Sequence, residues 1–169
     1  KNGIYERKTS FKELQELKNY NDIIYLYCCN INLTYLPKLP KSLIILWCSN
    51  NKLSFLSELP KNLIELYCNN NNLSRLPKLP NSLIKLYCYN NYLIFIPKLP
   101  INLIELYCMN NKLTTIPQLP NSLTHLHCHF NQLTILPKLP NSLTHLISYS
   151  NNLTFIPKLQ DNLIYFEYY

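Results

Sequence analysis

The chain repeats itself every 20 residues, without an insertion, over most of its 169-residue length. Each copy follows the frame L-x-x-L-x-C-x-x-N-x-L-x-x-[LI]-P-x-L-P-x-[SN], with few departures. A unit this short cannot bury its own apolar side chains, so every copy must stack on its neighbours to form one continuous core. The repeat therefore restricts the chain to elongated, stacked architectures.

The stretch "IELYC" within each unit predicts a short β-strand. Its alternation places Leu66 and Cys68 on one face of the strand, and Glu65, Tyr67 and Asn69 on the other. Stacked copies then form a parallel sheet that lines the concave face of a curved solenoid, with the leucine and cysteine side chains turned into the core. Eight strands are predicted, near residues 25–29, 45–49, 65–69, 85–89, 105–109, 125–129, 145–149 and 165–169.

The segments between the strands predict turns and extended returns. An asparagine follows each strand at the same position of the unit, where its amide can pair with backbone groups of the turn; position 31 holds Ile in its place, which predicts an irregular first turn. The "LPKLPNS" returns hold too many prolines for an α-helix, so we expect polyproline-like arcs on the convex face. Ser10 and Glu13 form a capping box, which predicts a capping helix at about residues 10–20. The domain division is an N-terminal capping segment, 1–22, and a repeat domain, 23–169, of seven to eight units.

The unit "LPKLPNSLIKLYCYNNYL" resembles the short leucine-rich repeats of secreted bacterial effectors of the YopM and IpaH type. The shared frame "LPxLPxxLxxLxxxxNxL" covers residues 23–169. The resemblance implies a leucine-rich-repeat solenoid that serves as a binding scaffold, and in the ubiquitin-ligase members the catalytic cysteine lies in a separate C-terminal domain. Versions rich in Cys, Asn and Tyr also resemble repeat proteins of large DNA viruses of amoebae, which would place the chain in the host cytoplasm.

Composition favours a folded, non-enzymatic chain. The chain is 47% hydrophobic and 15% charged, which argues against disorder. A single glycine rules out a Gly-rich phosphate loop, and aspartate occurs only at Asp22 and Asp161, so no catalytic arrangement and no cofactor site is predicted. No apolar run approaches the roughly 18 residues of a membrane span and no secretory signal opens the chain, so no membrane partner is expected. We expect one module of a larger intracellular protein.

The cysteines form a column that predicts a core position. A metal site draws its ligands to one point, whereas these residues recur 20 apart along a line, and parallel in-register strands suit disulfides poorly. Small buried thiols imply a reducing compartment. Cys29 points to the opposite face and is predicted to be the most accessible thiol. The column consists of Cys28, Cys48, Cys68, Cys88, Cys108 and Cys128, with Ser148 as its seventh member.

The outward positions of the strands predict a binding face. Down the centre of the concave face run Tyr27, Trp47, Tyr67, Tyr87, Tyr107 and His127, which we call the aromatic stripe. Tyrosine and tryptophan give large, rigid contact areas with a polar handle, so the hypothesis is an unidentified protein or peptide partner, a host protein being one candidate. Alternatively, the rings stabilise the sheet through cross-strand contacts. The predicted partner-binding flanks are Tyr89, Met109, His129 and Tyr149 on one side and His125 and His145 on the other.

The histidines and lysines of the chain are unevenly placed. His125, His127, His129 and His145 gather on the concave face, where three imidazoles can satisfy zinc, yet no carboxylate adjoins them; a pH-sensitive interface is preferred and no metal site is predicted.

The net charge is +7, but the concave columns carry only Lys85 as a cation. Nucleic acid, which needs clustered cations beside aromatic rings, is therefore not expected as a partner. Lys38, Lys78, Lys98, Lys138 and Lys158 lie instead in the returns.

Overall fold

The computed structural model describes residues 4–7 and 18–168, which build one parallel sheet with a repeating return after each strand. Within the described residues the sheet has nine strands, and each strand pairs with the one next to it in the chain. A 3-10 helix, Tyr20–Asp22, precedes the second strand. The strands are β1 Ile4–Arg7, β2 Ile23–Tyr27, β3 Ile45–Trp47, β4 Glu65–Tyr67, β5 Lys85–Tyr87, β6 Glu105–Tyr107, β7 His125–His127, β8 His145–Ile147 and β9 Tyr165–Glu167.

All eight predicted strands are present, but seven of them are shorter than predicted. Strands β3 to β9 contain three residues each, whereas five were predicted. The backbone hydrogen bonds between neighbouring units continue past the end of the strand, as in Cys48 N to Tyr67 O at 2.8 Å and Asn50 N to Asn69 O at 3.0 Å. Beyond the strand, Asn50 is left-handed, with φ of 56°, and this bends the chain into its turn.

The N-terminal segment differs from the repeats. Strand β1 pairs in parallel with β2 and was not predicted, because residues 4–7 lie outside the repeat and its periodicity. Most of the predicted capping helix, residues 10–17, lies outside the described residues; its predicted end is a turn at residues 18–19 followed by the 3-10 helix. The irregular first turn is present, since both Asn30 and Asn32 are left-handed there, with φ of 60° and 57°.

The core is a stack of identical layers. Every strand from β3 to β8 turns its central residue inward, and these residues, Leu46 to Leu146, are all 0% exposed. They pair in register along the sheet, each leucine beside its copy in the next unit. The remaining leucines and isoleucines of the frame fill the space between the sheet and the returns. The buried side chains thus form one continuous column of apolar layers.

A ladder of buried and half-buried asparagines closes each turn. The Asn71 amide nitrogen donates to the carbonyl oxygens of Cys48 and Cys68 at 3.0 and 3.1 Å, and its amide oxygen accepts the Leu53 N–H at 3.0 Å. Each asparagine therefore ties its own unit to the one before it, which confirms the structural role predicted for this position. The ladder consists of Asn51, Asn71, Asn91, Asn111, Asn131 and Asn151.

The returns are extended and contain neither strand nor helix, as the prolines predicted. Their side chains follow a three-residue pattern: Leu76 and Leu79 are buried, whereas Arg75 and Lys78 are exposed. Polyproline-like backbone has three residues per turn, so every third side chain points the same way. Among residues 4–7 and 18–168, no helix has the length and apolar character that crossing a membrane requires.

Candidate aromatic binding face

The sheet register brings the aromatic stripe together as one column of touching rings. Trp47, Tyr67 and Tyr87 pair directly across strands β3, β4 and β5. Ring centroids of successive members lie 6.3, 5.9, 4.8, 4.4 and 4.2 Å apart from Tyr27 to His127. Such contacts contribute about 0.5–1.5 kcal/mol per pair beyond burial, so the rings stabilise the sheet. Their outer edges and polar atoms remain on the concave surface, since all six side chains are only half-buried.

A polar network occupies the centre of the stripe. The Tyr67 hydroxyl donates to a Glu65 carboxylate oxygen at 2.7 Å, and the Tyr87 hydroxyl donates to Glu105. Lys85 Nζ lies 3.1 Å from the other Glu105 oxygen. Sequence reasoning placed Glu65, Lys85 and Glu105 beside the stripe without assigning them a role. Their charges alternate at one position of three successive units, and this alternation is the signal from which the pairing could have been predicted.

These hydrogen bonds shift the acidities of the network. Desolvation acts to raise the pKa of Glu105, but the hydrogen bonds from Tyr87 and Lys85 outweigh it and lower that pKa below its usual range. Burial and the adjoining carboxylates raise the pKa of Tyr67 and Tyr87. The lowered pKa keeps Glu105 ionised at neutral pH and the raised pKa values keep Tyr67 and Tyr87 protonated, which makes this stretch of the face a hydrogen-bonding surface.

The four histidines stack instead of converging. The rings of His125 and His145 lie 4.2 Å apart and nearly parallel, at 7°, and each Nδ1 contacts the preceding threonine hydroxyl, at 2.8 and 2.9 Å. His127 lies 4.2 Å from Tyr107, and His129 lies 4.7 Å from Tyr149. Across residues 4–7 and 18–168, no group of three or more His, Cys, Asp or Glu side chains is placed to hold a metal ion.

The predicted flank on the other side of the stripe is partly buried. Tyr89, Met109, His129 and Tyr149 are half-buried at one position of successive units. Phe130 packs edge-on against His129 and Tyr149, at 5.5 and 5.3 Å, although it occupies the left-handed turn position with φ of 52°. A bulky side chain is unfavourable there. The aromatic cluster at this end of the face thus includes Phe130, which the alternation of the strands did not predict.

Acid is expected to destabilise the histidine end of the face. Burial, followed by the neighbouring His129, His125 and His145, lowers the pKa of His127 to about 4. The imidazole of His127 binds a proton near pH 6.5 in the unfolded chain and near pH 4 in the folded one. The free energy of unfolding is therefore highest above about pH 6.5 and falls as the pH is lowered from about 6.5 to about 4. After allowance for solvent screening of a half-buried ring, we expect a loss of about 1 kcal/mol from His127.

Urea unfolding at about pH 7 and pH 5 measures this loss. The His127→Gln variant keeps a polar side chain that does not titrate, so its stability is expected to depend less on pH than that of the wild type. An equal dependence in both proteins would contradict the assignment to His127.

The cysteine column is buried, as the repeat predicted. Its six thiols are at most 2% exposed, and all are free. The Sγ atoms of Cys28 and Cys48 donate to backbone carbonyls of the next unit, at 3.2 and 3.4 Å. Burial raises the pKa of Cys88 and Cys128 to about 12. These thiols act as small apolar core groups, since the reactive thiolate is suppressed.

Cys29 is expected to react with an alkylating reagent before the other six cysteines. It is the most exposed of the seven, as predicted, but only 9% of its surface is open and burial raises its pKa. Native alkylation with iodoacetamide, followed by peptide mass spectrometry, is expected to modify Cys29 slowly and the column only after unfolding. If several column cysteines react as fast as Cys29, the inward orientation of the column is wrong.

Comparisons with solved structures identify the same architecture elsewhere. YopM from Yersinia pestis, described as a leucine-rich effector protein, superposes with a TM-score of 0.80 at 32% identity, over 88% of this chain and 46% of that one. A Shigella effector LRR domain superposes with a TM-score of 0.77 at 34% identity, over 86% and 65%. The fold is a leucine-rich-repeat solenoid.

The likeness extends to a second YopM structure but covers only part of its length. YopM from Yersinia enterocolitica WA-314 superposes with a TM-score of 0.75 at 28% identity, over 88% of this chain and 38% of that one. This chain thus spans less than half of either YopM structure. No protein-family model matches the solenoid, and no curated protein does either. The structural neighbours are leucine-rich-repeat proteins of the bacterial effector type.

Proposed function

We propose that the solenoid binds a protein or peptide partner on the concave face, through the aromatic stripe and its flanks. One observation carries this proposal. The buried columns hold nearly the same residue in every unit, whereas the concave columns change from tyrosine to tryptophan, histidine, lysine or glutamate. Packing dictates the first set and leaves the second free, so the second is where recognition is expected.

The chemistry of the face suits a neutral or basic protein surface. Tyrosine and tryptophan edges supply contact area at small entropic cost, and the Glu65, Lys85 and Glu105 network supplies hydrogen bonds. The outward positions of strands β2 to β9 carry one lysine and three glutamates, Glu167 being the third, although the whole chain is at +7. A partner that presents cations or neutral polar groups is electrostatically favoured there.

The test compares ring removal with ring preservation. In the first variant Trp47, Tyr67, Tyr87 and Tyr107 become serine; in the second the three tyrosines become phenylalanine, which keeps the stacking. Proteins captured by the wild type are identified by mass spectrometry, purified and titrated by calorimetry. We expect the serine variant to bind at least about 100-fold more weakly, because several hot-spot side chains are lost together.

The matched control replaces Tyr35 and Tyr92, which are exposed elsewhere on the solenoid, by serine. It is expected to bind the partner normally. If the serine variant of the stripe melts much lower but its folded fraction binds as the wild type does, the rings serve the sheet alone and the protein is a structural scaffold.

A second candidate function is substrate recognition for a larger enzyme such as a ubiquitin ligase. The Shigella structure is the LRR domain of an effector, so a similar solenoid occurs as one domain of such a protein. In both proposals the solenoid binds and does not catalyse, and it acts in a reducing intracellular compartment, in keeping with seven free cysteines. Fusion of residues 1–169 to an unrelated ubiquitin-ligase domain tests recognition directly, since the captured partner should become ubiquitinated.

A further inference from the structure

The convex face presents two exposed columns three residues apart. In each return the side chain just before Leu36, or before its copy in a later unit, is exposed. The side chain three residues after that one is exposed as well. Polyproline-like backbone brings such residues to the same side, about 9 Å apart along the return. We call these columns the convex track. It consists of Tyr35, Phe55, Arg75, Phe95, Thr115, Ile135 and Phe155, and of Lys38, Glu58, Lys78, Lys98, Gln118, Lys138 and Lys158.

The rings of the convex track are open to ligands. Tyr35, Phe55, Phe95 and Phe155 are between 47% and 59% exposed. In the described part of the chain no other ring contacts them, whereas the rings of the aromatic stripe lie 4.2–6.3 Å apart and cover one another's faces. Their faces are therefore available for stacking with a partner.

The charge of the convex track is strongly positive. It carries five lysines and Arg75 against one carboxylate, Glu58. Among residues 18–168, the one ion pair within 4.0 Å joins Lys85 to Glu105 on the concave face, so no carboxylate in that range forms an ion pair with the cations of the track. The two faces of the solenoid thus have opposite charge.

Two open depressions lie along the same face. One, of about 770 Å³, is lined by Lys38, Lys41, Lys61 and Lys78, with Glu58 as its carboxylate. The next, of about 1160 Å³, is lined by Lys78, Lys98 and Phe95 together with Pro97 and Pro100, and by no acidic residue. Both depressions in the middle of the track are thus lined by lysines together with apolar side chains.

We propose that the convex track binds single-stranded nucleic acid. Open rings that alternate with cations are what such ligands need, because bases stack on aromatic faces while phosphates follow the charges. A duplex hides its base faces within its own stack and would leave the rings unused. A flat bilayer would touch a convex surface over only a few units, whereas a flexible strand can follow it. Nucleic acid was not expected because the concave columns carry only Lys85 as a cation, whereas the convex track has six cations.

The binding experiment measures fluorescence anisotropy of labelled 20-nucleotide oligo-dT and oligo-rU with the whole chain. We expect micromolar dissociation constants at about 50 mM salt. With three to five phosphates neutralised, the slope of log K against log salt is expected between about −2 and −3.5. The DNA and RNA arms show which sugar is preferred.

Three double variants separate stacking from charge. Phe55→Ser with Phe95→Ser is expected to weaken binding at least about 30-fold at unchanged salt slope, since each stacked base contributes about 1–3 kcal/mol. Lys78→Gln with Lys98→Gln is expected to reduce the slope by about 1.4. The charge-matched control, Lys52→Gln with Lys112→Gln at the turns after the strands, is expected to bind nearly as the wild type does.

The serine variant of the aromatic stripe is expected to keep full nucleic-acid binding, so this proposal and the concave binding function can fail independently. The proposal is overturned if no saturable binding occurs below about 100 µM at about 50 mM salt. It is equally overturned if the double variant of Phe55 and Phe95 binds as the wild type does. The same holds if the control variant of Lys52 and Lys112 weakens binding as much as the variant of Lys78 and Lys98. Tighter binding of duplex DNA or phosphatidylserine vesicles than of the oligonucleotides would also overturn it.

Discussion

Replacing Asn91 by alanine is expected to lower the free energy of unfolding by about 3 kcal/mol. The Asn91 amide nitrogen donates to the carbonyl oxygens of Cys68, Cys88 and Tyr89, at 3.1, 3.1 and 3.2 Å. Its amide oxygen accepts the Leu73 N–H at 3.0 Å. Because Asn91 is 6% exposed, water cannot replace these bonds, and alanine leaves the Leu73 N–H buried without a partner.

Urea unfolding followed by circular dichroism measures this loss. The control is Asn72→Ala in the preceding unit, next to the ladder residue Asn71. The Asn72 side chain is exposed, so its loss is expected to change stability by less than about 0.5 kcal/mol. The Asn91→Asp variant isolates the amide donors, since a carboxylate would face carbonyl oxygens, and we expect it to destabilise more than alanine. A loss below about 1 kcal/mol for Asn91→Ala would contradict the role of the ladder in joining units.

Replacing Leu86 by alanine is expected to lower the free energy of unfolding by about 4 kcal/mol. Its side chain is 0% exposed and pairs with Leu66 on one side and Leu106 on the other. The cavity therefore weakens the contacts between three successive units. In a stacked array each unit contacts only its neighbours, so a central defect divides the solenoid in two.

Two matched variants test whether position in the array matters. Leu153→Ala makes the same change at a partly buried leucine near the last strand, and we expect it to destabilise by about 1–2 kcal/mol. Leu86→Met nearly conserves volume and should cost less than about 1.5 kcal/mol. If Leu153→Ala and Leu86→Ala lower the free energy of unfolding equally, the last units are coupled to their neighbours as strongly as the central ones. That result would contradict the difference that the burial of the two leucines indicates.

Much of the fold could be predicted because one pattern is copied many times. The alternation of Leu66 and Cys68 with Glu65 and Tyr67 specifies which side chains enter the core, and a one-residue slip would expose every leucine. Strand length could not be predicted, since the left-handed bend at Asn50 and its copies depends on turn geometry. Strand β1 could not be predicted either, because nothing in residues 4–7 shows which edge of the sheet they join.

The sequence predicted which residues lie on the candidate binding face but not which of their side chains contact one another. The aromatic stripe follows from alternation alone, but the contact between Tyr87 and Tyr107, 4.4 Å apart, depends on the parallel register of the strands. The pairing of Lys85 with Glu105 also depends on side-chain positions across two strands. Cys29 was expected on the open face, and its near-complete burial reflects packing that no single unit contains.

The architecture and the division between core and surface follow from the sequence alone, because a 20-residue period with recurring apolar positions admits only stacked, in-register units. What each surface offers to a ligand became evident only in the folded structure. Strand spacing closes the concave rings onto one another, whereas the three-residue turn of the returns brings Phe95 and Lys98 to the same side with their outer surfaces open. The spacing of residues within one unit can be read from the sequence, but side-chain contacts between units depend on how the units stack in the fold.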